Sequence, residues 1–97
     1  MTDLNRATLL DQLLYYVTNE LEIGALAEKI TTDSPVLEWG VLDSVRTARL
    51  LAHIGSEDGL RVPSRDMTDE HFRTVGTITD LVLSLRTQTA AAPLENR

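Results

Sequence analysis

The sequence contains no cysteine among its 97 residues. Without thiols it can form no disulfide, no thiolate metal site and no cysteine nucleophile, which suits a protein of the reducing cytoplasm. Long apolar runs are also missing, and none approaches the roughly 20 residues that cross a bilayer as a helix. The opening segment MTDLN lacks the basic and apolar regions of a signal peptide. We therefore expect a cytoplasmic protein without membrane contact.

Basic residues are also few. Nine lysines and arginines stand against 15 aspartates and glutamates, which leaves a formal charge of -6. A nucleic-acid-binding protein needs a basic face to release counterions, so this class is not expected. An acidic balance instead favours long-range attraction to basic partner surfaces. The length allows one domain with a modest core and leaves no room for a second.

Apolar residues recur every three or four positions in three stretches, which predicts three long helices. The first covers residues 8–21, with adjacent Tyr15 and Tyr16 that cannot both point inward. The second begins at Ser44 and ends between residues 55 and 59, and the last follows Thr74, a suitable cap. The apolar face of the last helix is Val75, Ile78, Leu81, Val82 and Leu85.

A fourth, short helix is expected at residues 69–73. Asp66 or Thr68 can cap it, and Phe72 is its expected core anchor. The segment before it contains Pro63, which terminates the preceding structure. The sequence therefore predicts an all-α chain of three long helices and one short helix.

The groups that an enzyme would need are not in recognisable patterns. His53 lies nine positions after Ser44, and nothing pairs either His53 or His71 with that serine. The carboxylates match neither a calcium-binding loop nor a paired acid–base arrangement, and there is no glycine-rich phosphate loop. We expect a protein that is not an enzyme and binds no metal.

The most informative stretch is the start of the second helix. Asp43 is a good N-cap, because its carboxylate can accept a backbone N–H that opens the helix. Ser44 then occupies the first helical position, at the positive end of the helix dipole, where a phosphate ester would be favoured. As a bare tripeptide, Asp-Ser-Val at 43–45 is usually an ordinary cap, so its surroundings decide how to interpret it.

Those surroundings are WGVLDSV at 39–45, GLRVP at 59–63 and FRTVGTITDLV at 72–82. Together they resemble an acyl or peptidyl carrier protein, over roughly residues 9–86. The resemblance implies a right-handed four-helix bundle in which Ser44 carries 4′-phosphopantetheine and Asp43 orients the transferase and its magnesium ion. It also implies a phosphopantetheinyl transferase, an adenylating ligase or acyltransferase that loads cargo, and downstream synthases or transferases as partners of a monomeric carrier.

The resemblance also gives a reason for the long connection at residues 22–42. In carrier bundles the first loop wraps around the helices and inserts apolar anchors. Ile23, Leu26 and Ile30 can form a short amphipathic turn within it. The expected anchors are Val36, Leu37, Trp39, Val41 and Leu42, although Trp39 could instead contact a cargo or partner.

The expected partner surface consists of Leu42, Val45, Arg46, Arg49, Leu50, Met67, Glu70 and Phe72. Arg46 and Arg49 lie on one face of the helix and depart from the acidic residues that fatty-acid carriers often show there. They are either a solvated pair or a charge code for acidic partner patches. Asp58 replaces a usual large apolar residue, so the helix could end early.

We expect a carrier domain at residues 1–87 and a flexible tail at 88–97. The sequence is closer to peptidyl-type carriers than to the fatty-acid type, which favours specialised polyketide or nonribosomal peptide assembly. An amino acid is the first expectation for cargo, and a polyketide extender or acyl chain is the second. The rival hypothesis is a helical adaptor that keeps the carrier fold but is never modified.

Overall fold

Three long α-helices form the protein, as its apolar periodicity predicts. The computed structural model describes residues 2–91 and contains α1 at Thr2–Asn19, α2 at Ser44–Asp58 and α3 at Val75–Ala91. Two short 3-10 helices lie between them, at Gly24–Glu28 and Ser64–Asp66. Residues 2–91 contain no β-strand, which confirms the all-α class. No helix in this part of the chain is long and apolar enough to cross a membrane.

All three helices and the long first loop contribute to one core. In α1 and α3 the buried positions repeat at helical spacing, so each helix turns one apolar stripe inward. The five residues of the predicted α3 face are all buried. The buried apolar side chains are Leu9, Leu13, Val17, Leu21, Ile23, Ile30, Val36, Val41, Leu42, Leu50, Ile54, Leu60, Phe72, Val75, Ile78, Leu81, Val82 and Leu85.

The first helix begins earlier and ends earlier than the predicted range of 8–21. It ends at Asn19, and three residues later Glu22 adopts a left-handed backbone with φ of 59°. Leu21 is therefore buried from the turn and not from the helix, which its helical spacing could not reveal. Tyr15 is exposed while Tyr16 is half-buried, so the expectation that the two tyrosines differ is confirmed.

The first loop inserts most of the predicted anchors. Val36, Val41 and Leu42 are buried, and the backbone N–H groups of Val41 and Leu42 both donate to the Val36 carbonyl, at 2.9 and 3.3 Å. Trp39 differs from the expectation, because 47% of it is exposed. The tight turn that buries its neighbours, with Gly40 at φ of 77°, leaves Trp39 on the outside.

The short helix predicted at 69–73 does not form, and this segment contains only a turn. Thr68 does act as a cap, since its Oγ1 accepts from the His71 N–H at 3.3 Å and its carbonyl accepts from the Phe72 N–H at 3.2 Å. Only this one turn forms, because Thr74 already caps α3 two residues beyond Phe72. The predicted role of Phe72 as a core anchor is confirmed.

The end of α2 at Asp58 lies within the predicted range of 55–59, whereas α3 ends later than expected. Gly59 follows α2 in a left-handed conformation, with φ of 67°, and its N–H donates to the Gly55 carbonyl at 2.8 Å. Asp58 therefore does not end the helix early. The third helix runs to Ala91, past the predicted domain boundary at residue 88. The rest of the predicted tail, 92–97, lies outside the described residues.

Candidate modification site at the start of α2

Asp43 caps α2 as its sequence position predicts. Its backbone is extended, with φ of -91° and ψ of -173°, and its Oδ1 accepts from the backbone N–H of Arg46 at 2.8 Å. Its carbonyl accepts the first intrahelical bond, from the Thr47 N–H at 2.9 Å. These two bonds fix the residue at which the helix begins.

Ser44 is the first residue of the helix and is exposed. Within residues 2–91 its hydroxyl makes no hydrogen bond, and the backbone N–H groups of Ser44 and Val45 have no acceptor. Val45 is also open to solvent, with 67% of its surface exposed. The start of α2 is therefore accessible, and its unpaired N–H groups and helix dipole favour an anion there.

Arg46 turns away from this opening and binds the end of α1. Its Nε donates to the Leu21 carbonyl at 3.0 Å, and its Nη2 donates to the Glu22 carbonyl at 3.1 Å. Its Nη1 also contacts Asp43 Oδ2 at 3.3 Å. A guanidinium suits this role, because its donors form a fixed fork that can reach several acceptors at once.

Arg49 binds the same end of α1. Its Nη2 donates to the Glu20 carbonyl at 2.6 Å, and its Nη1 lies 3.8 Å from Glu22 Oε1. The carbonyls that the two arginines bind belong to the turn directly after α1, next to the negative end of its helix dipole, so two cations there are favourable. The arginine pair therefore joins α2 to α1, and the interpretations of it as a solvated pair or as a free charge code are both incomplete.

The structure divides the predicted partner surface into exposed and buried residues. Val45, Met67 and Glu70 are exposed and accessible. The other three apolar residues are buried and unavailable for docking: the exposed fraction of the residue is 4% for Leu42, 0% for Leu50 and 4% for Phe72. These three residues lie near Ser44 or Glu70 in sequence, but sequence proximity does not determine which way a side chain points.

Neither histidine is placed to activate Ser44. His53 lies nine residues along α2, roughly 13 Å by the helical rise, and its ring stacks on Tyr16 with centroids 4.0 Å apart. His71 Nδ1 pairs with the Asp66 carbonyl at 2.9 Å. Among the side chains that the structure describes, no group of three histidines or carboxylates could hold a metal ion. The Ser44 hydroxyl therefore has no histidine partner.

The larger concavity lies elsewhere. A groove of about 750 Å³ runs between α1 and α2, past Tyr16, His53 and Glu57, and Ser44 does not line it. A smaller groove of about 350 Å³ lies between α3 and the segment around His71. Ser44 therefore lies outside both grooves, at an exposed helix start.

The fold and the site define a small helical bundle with one open, serine-bearing helix start. No protein-family model matches the chain, and no curated protein sequence matches it. A solved structure described as "Crystal structure of FAD-dependent dehydrogenase" contains a chain that is 37% identical, with a TM-score of 0.68. The similarity covers 73% of this protein and 99% of that chain. The two chains share their fold and belong to one family.

Proposed function

We propose that this protein is a freestanding acyl or aminoacyl carrier, which holds an intermediate as a thioester on a 4′-phosphopantetheine arm at Ser44. The observation that carries the proposal is the open start of α2, where an exposed serine follows a capping aspartate. The same residues resemble the carrier attachment motif. Neither histidine is placed beside Ser44, which fits a residue that is modified by another enzyme.

The attachment reaction makes modest demands on this chain. Ser44 Oγ attacks the β-phosphorus of coenzyme A, the pyrophosphate P–O bond breaks, and adenosine 3′,5′-bisphosphate leaves. A base of the transferase takes the hydroxyl proton. The new phosphodiester lies at the helix start, where the N–H groups of Ser44 and Val45 and the helix dipole stabilise its negative charge.

Tethering explains how a small protein without a cleft can serve a multistep synthesis. The arm replaces free encounter by an effective concentration on the order of millimolar. An adenylating ligase or acyltransferase loads the thiol, and downstream synthases and transferases then act on the cargo in the cytoplasm. We favour nonribosomal peptide or polyketide assembly, with an amino acid as the first candidate cargo and an acyl group as the second.

The partner surface of this proposal is smaller than the predicted one. It comprises the exposed side chains Val45, Met67 and Glu70, to which we add Trp39. Val45 and Trp39 flank the serine in sequence and offer apolar contact area, and an exposed indole is a typical anchor at protein interfaces. The acidic charge of the chain favours enzymes with basic docking faces.

The similar chain suggests one particular partner. The similarity covers about 71 residues of this protein and nearly all of that chain. A helical bundle of that size has no room for the βαβ units of a dinucleotide-binding domain. We therefore propose a separate FAD-dependent dehydrogenase as a partner of this protein. That enzyme oxidises the loaded cargo, and its FAD takes up the two hydrogens as FADH2.

The alternative that the chain itself belongs to a flavin-binding unit has a simple test. FAD is titrated with the purified protein, and its absorbance and fluorescence are followed. We expect no spectral change, because neither groove combines an apolar slot with phosphate-binding groups. Saturable binding would favour the flavin-binding alternative.

The proposed dehydrogenase partner has its own test. Incubation of the loaded protein with such a dehydrogenase should lower the mass of the cargo by two hydrogens.

The carrier proposal is tested by the mass of the intact protein after incubation with coenzyme A, magnesium and a broad-specificity phosphopantetheinyl transferase. We expect a gain of one phosphopantetheine in the wild type and none in Ser44→Ala. Ser56→Ala is the matched control, since Ser56 is also exposed and lies at the other end of α2. No gain on a folded wild type, with the native host's transferase as well, would favour the adaptor.

A further inference from the structure

Arg46 is the one side chain in residues 2–91 that bonds both to Asp43 and to the end of α1. We propose that Arg46 is a positioning residue for the modification of Ser44, because it holds the carboxylate of Asp43 in one orientation beside the serine. This inference rests on the proposed function and assigns a role within the same site.

Both oxygens of Asp43 are held by the same residue. Oδ1 accepts from the backbone N–H of Arg46 at 2.8 Å, and Oδ2 accepts from Arg46 Nη1 at 3.3 Å. With only the hydrogen bond from the Arg46 N–H to Oδ1, the carboxylate could still rotate and move Oδ2. The guanidinium removes this freedom, so the carboxylate has a fixed plane.

The guanidinium is itself held on its other two nitrogens. Nε and Nη2 bond to the carbonyls of Leu21 and Glu22, at 3.0 and 3.1 Å. Because the guanidinium is planar and rigid, its contact with Asp43 cannot turn without loss of a bond to α1. The turn that ends α1, with Glu22 in its left-handed conformation, therefore sets the orientation of the acid next to Ser44.

A fixed acid matters for a reaction in a partner's active site. The transferase must bring the serine hydroxyl, the acid and the phosphorus of coenzyme A into one geometry, and misplacement by about 1 Å can cost on the order of a hundredfold in rate. A preordered Asp43 leaves less of this ordering to be done in the complex. Arg46 itself touches no reacting atom.

Arg49 provides a matched control. It binds the Glu20 carbonyl at the same end of α1, also through its guanidinium, but it makes no contact with Asp43. Arg46→Met and Arg49→Met each remove a charge that is bonded to the turn after α1, while keeping an apolar stem. Arg46→Met loses two carbonyl bonds and the link to Asp43. Arg49→Met loses one carbonyl bond and the ion pair with Glu22, so the stability of each variant is measured beside its transfer rate.

The experiment measures kcat/KM for phosphopantetheine transfer to the wild type and both variants, together with their unfolding by urea. We expect Arg46→Met to lower kcat/KM by about tenfold, and Arg49→Met, which leaves the contacts of Asp43 in place, to lower it by much less. Arg46→Lys should recover part of the loss, because an ammonium can reach Asp43 but cannot hold the two α1 carbonyls as well.

A double-mutant cycle then tests whether Arg46 acts through Asp43. Asp43→Asn retains a capping oxygen and loses the charge. If Arg46 works by orienting the carboxylate, Arg46→Met should slow transfer much less in the Asp43→Asn background than in the wild type. Equal effects in the two backgrounds would overturn the role, as would equal kcat/KM for Arg46→Met and Arg49→Met. A wild type that is never modified would overturn the proposed function itself.

Discussion

The starts of α2 and α3 use the same local chemistry with opposite outcomes. Asp43 caps α2 through Oδ1 and the Arg46 N–H at 2.8 Å. Thr74 caps α3 through Oγ1 and the Thr77 N–H at 3.0 Å. Both caps satisfy the third backbone N–H of their helix. The starts differ in what covers the first two positions.

The start of α3 is closed. Val75 and Gly76, its first two residues, are buried, and the Gly76 N–H donates to the Thr32 carbonyl of the first loop at 3.0 Å. Thr77 Oγ1 accepts from the Thr74 N–H at 3.0 Å, which completes a reciprocal cap. The equivalent residues of α2, Ser44 and Val45, are exposed and have no such cover.

Capping chemistry therefore does not by itself mark a functional helix start. A threonine or aspartate cap with its bonds formed is a structural device in both places. What distinguishes α2 is that the chain leaves its first turn open and places a hydroxyl there. In α3 the same two positions are occupied by a core valine and a closely packed glycine.

The largest expected effect comes from exchanging the first helical residues. Val75→Ser removes buried methyl groups and puts a hydroxyl into the core, so we expect a loss of about 3 kcal/mol of unfolding free energy. Ser44→Val at the equivalent exposed position should change it by less than about 0.5 kcal/mol. Urea unfolding of both variants measures the two values, and similar losses would show that the α2 start is as covered as that of α3.

The second positions should show a smaller contrast. A Cβ at Gly76 would lie 3.4 Å from the Thr32 carbonyl oxygen, so the further carbons of a valine must displace the loop. We expect Gly76→Val to cost about 2 kcal/mol. The reverse change in α2, Val45→Gly, should cost about 0.5 kcal/mol, through helix propensity alone. Thermal unfolding compares the two, and a tolerated valine at 76 would contradict the closed start.

The caps themselves give the smallest effects on stability. Thr74→Ala should cost about 1 kcal/mol, because the Thr77 N–H loses its acceptor. Asp43→Asn keeps an acceptor and should change stability by only a few tenths of a kcal/mol. If Asp43 has the role that the carrier resemblance implies, the same variant should be modified more slowly than the wild type. Unfolding curves and transfer rates on one preparation separate these two effects.

The sequence was sufficient where a feature depends on neighbours along the chain. The cap at Asp43, the position of Ser44, the cap at Thr74 and the apolar face of α3 all follow from local spacing and are confirmed. The length of a short helix also depends on nearby residues. Here Thr74 caps α3, which leaves residues 69–73 too few positions to form a helix of their own. Only one turn therefore forms after Thr68, which is one of the two capping residues that the sequence predicts.

Features that depend on distant contacts could not be predicted in this way. Arg46 and Arg49 have helical spacing typical of a solvated face, yet their acceptors lie 25 and 29 residues away in sequence. Trp39 is a large apolar residue of the kind that usually anchors a loop, but the turn at Gly40 leaves it exposed. The end of α1 gives one sequence signal for these contacts, because the carbonyls near the end of a helix attract cations. The sequence does not show that Arg46 and Arg49 lie next to those carbonyls.

The most direct test of the central claim is to locate the modification. The protein is incubated with coenzyme A, magnesium and a phosphopantetheinyl transferase, and the digested product is mapped by tandem mass spectrometry. The chain offers five serines, at positions 34, 44, 56, 64 and 84. We expect a single arm, on Ser44, because its helix start is open and its hydroxyl is unpaired. An arm on another serine, or a folded protein that no transferase modifies, would contradict the carrier function proposed here.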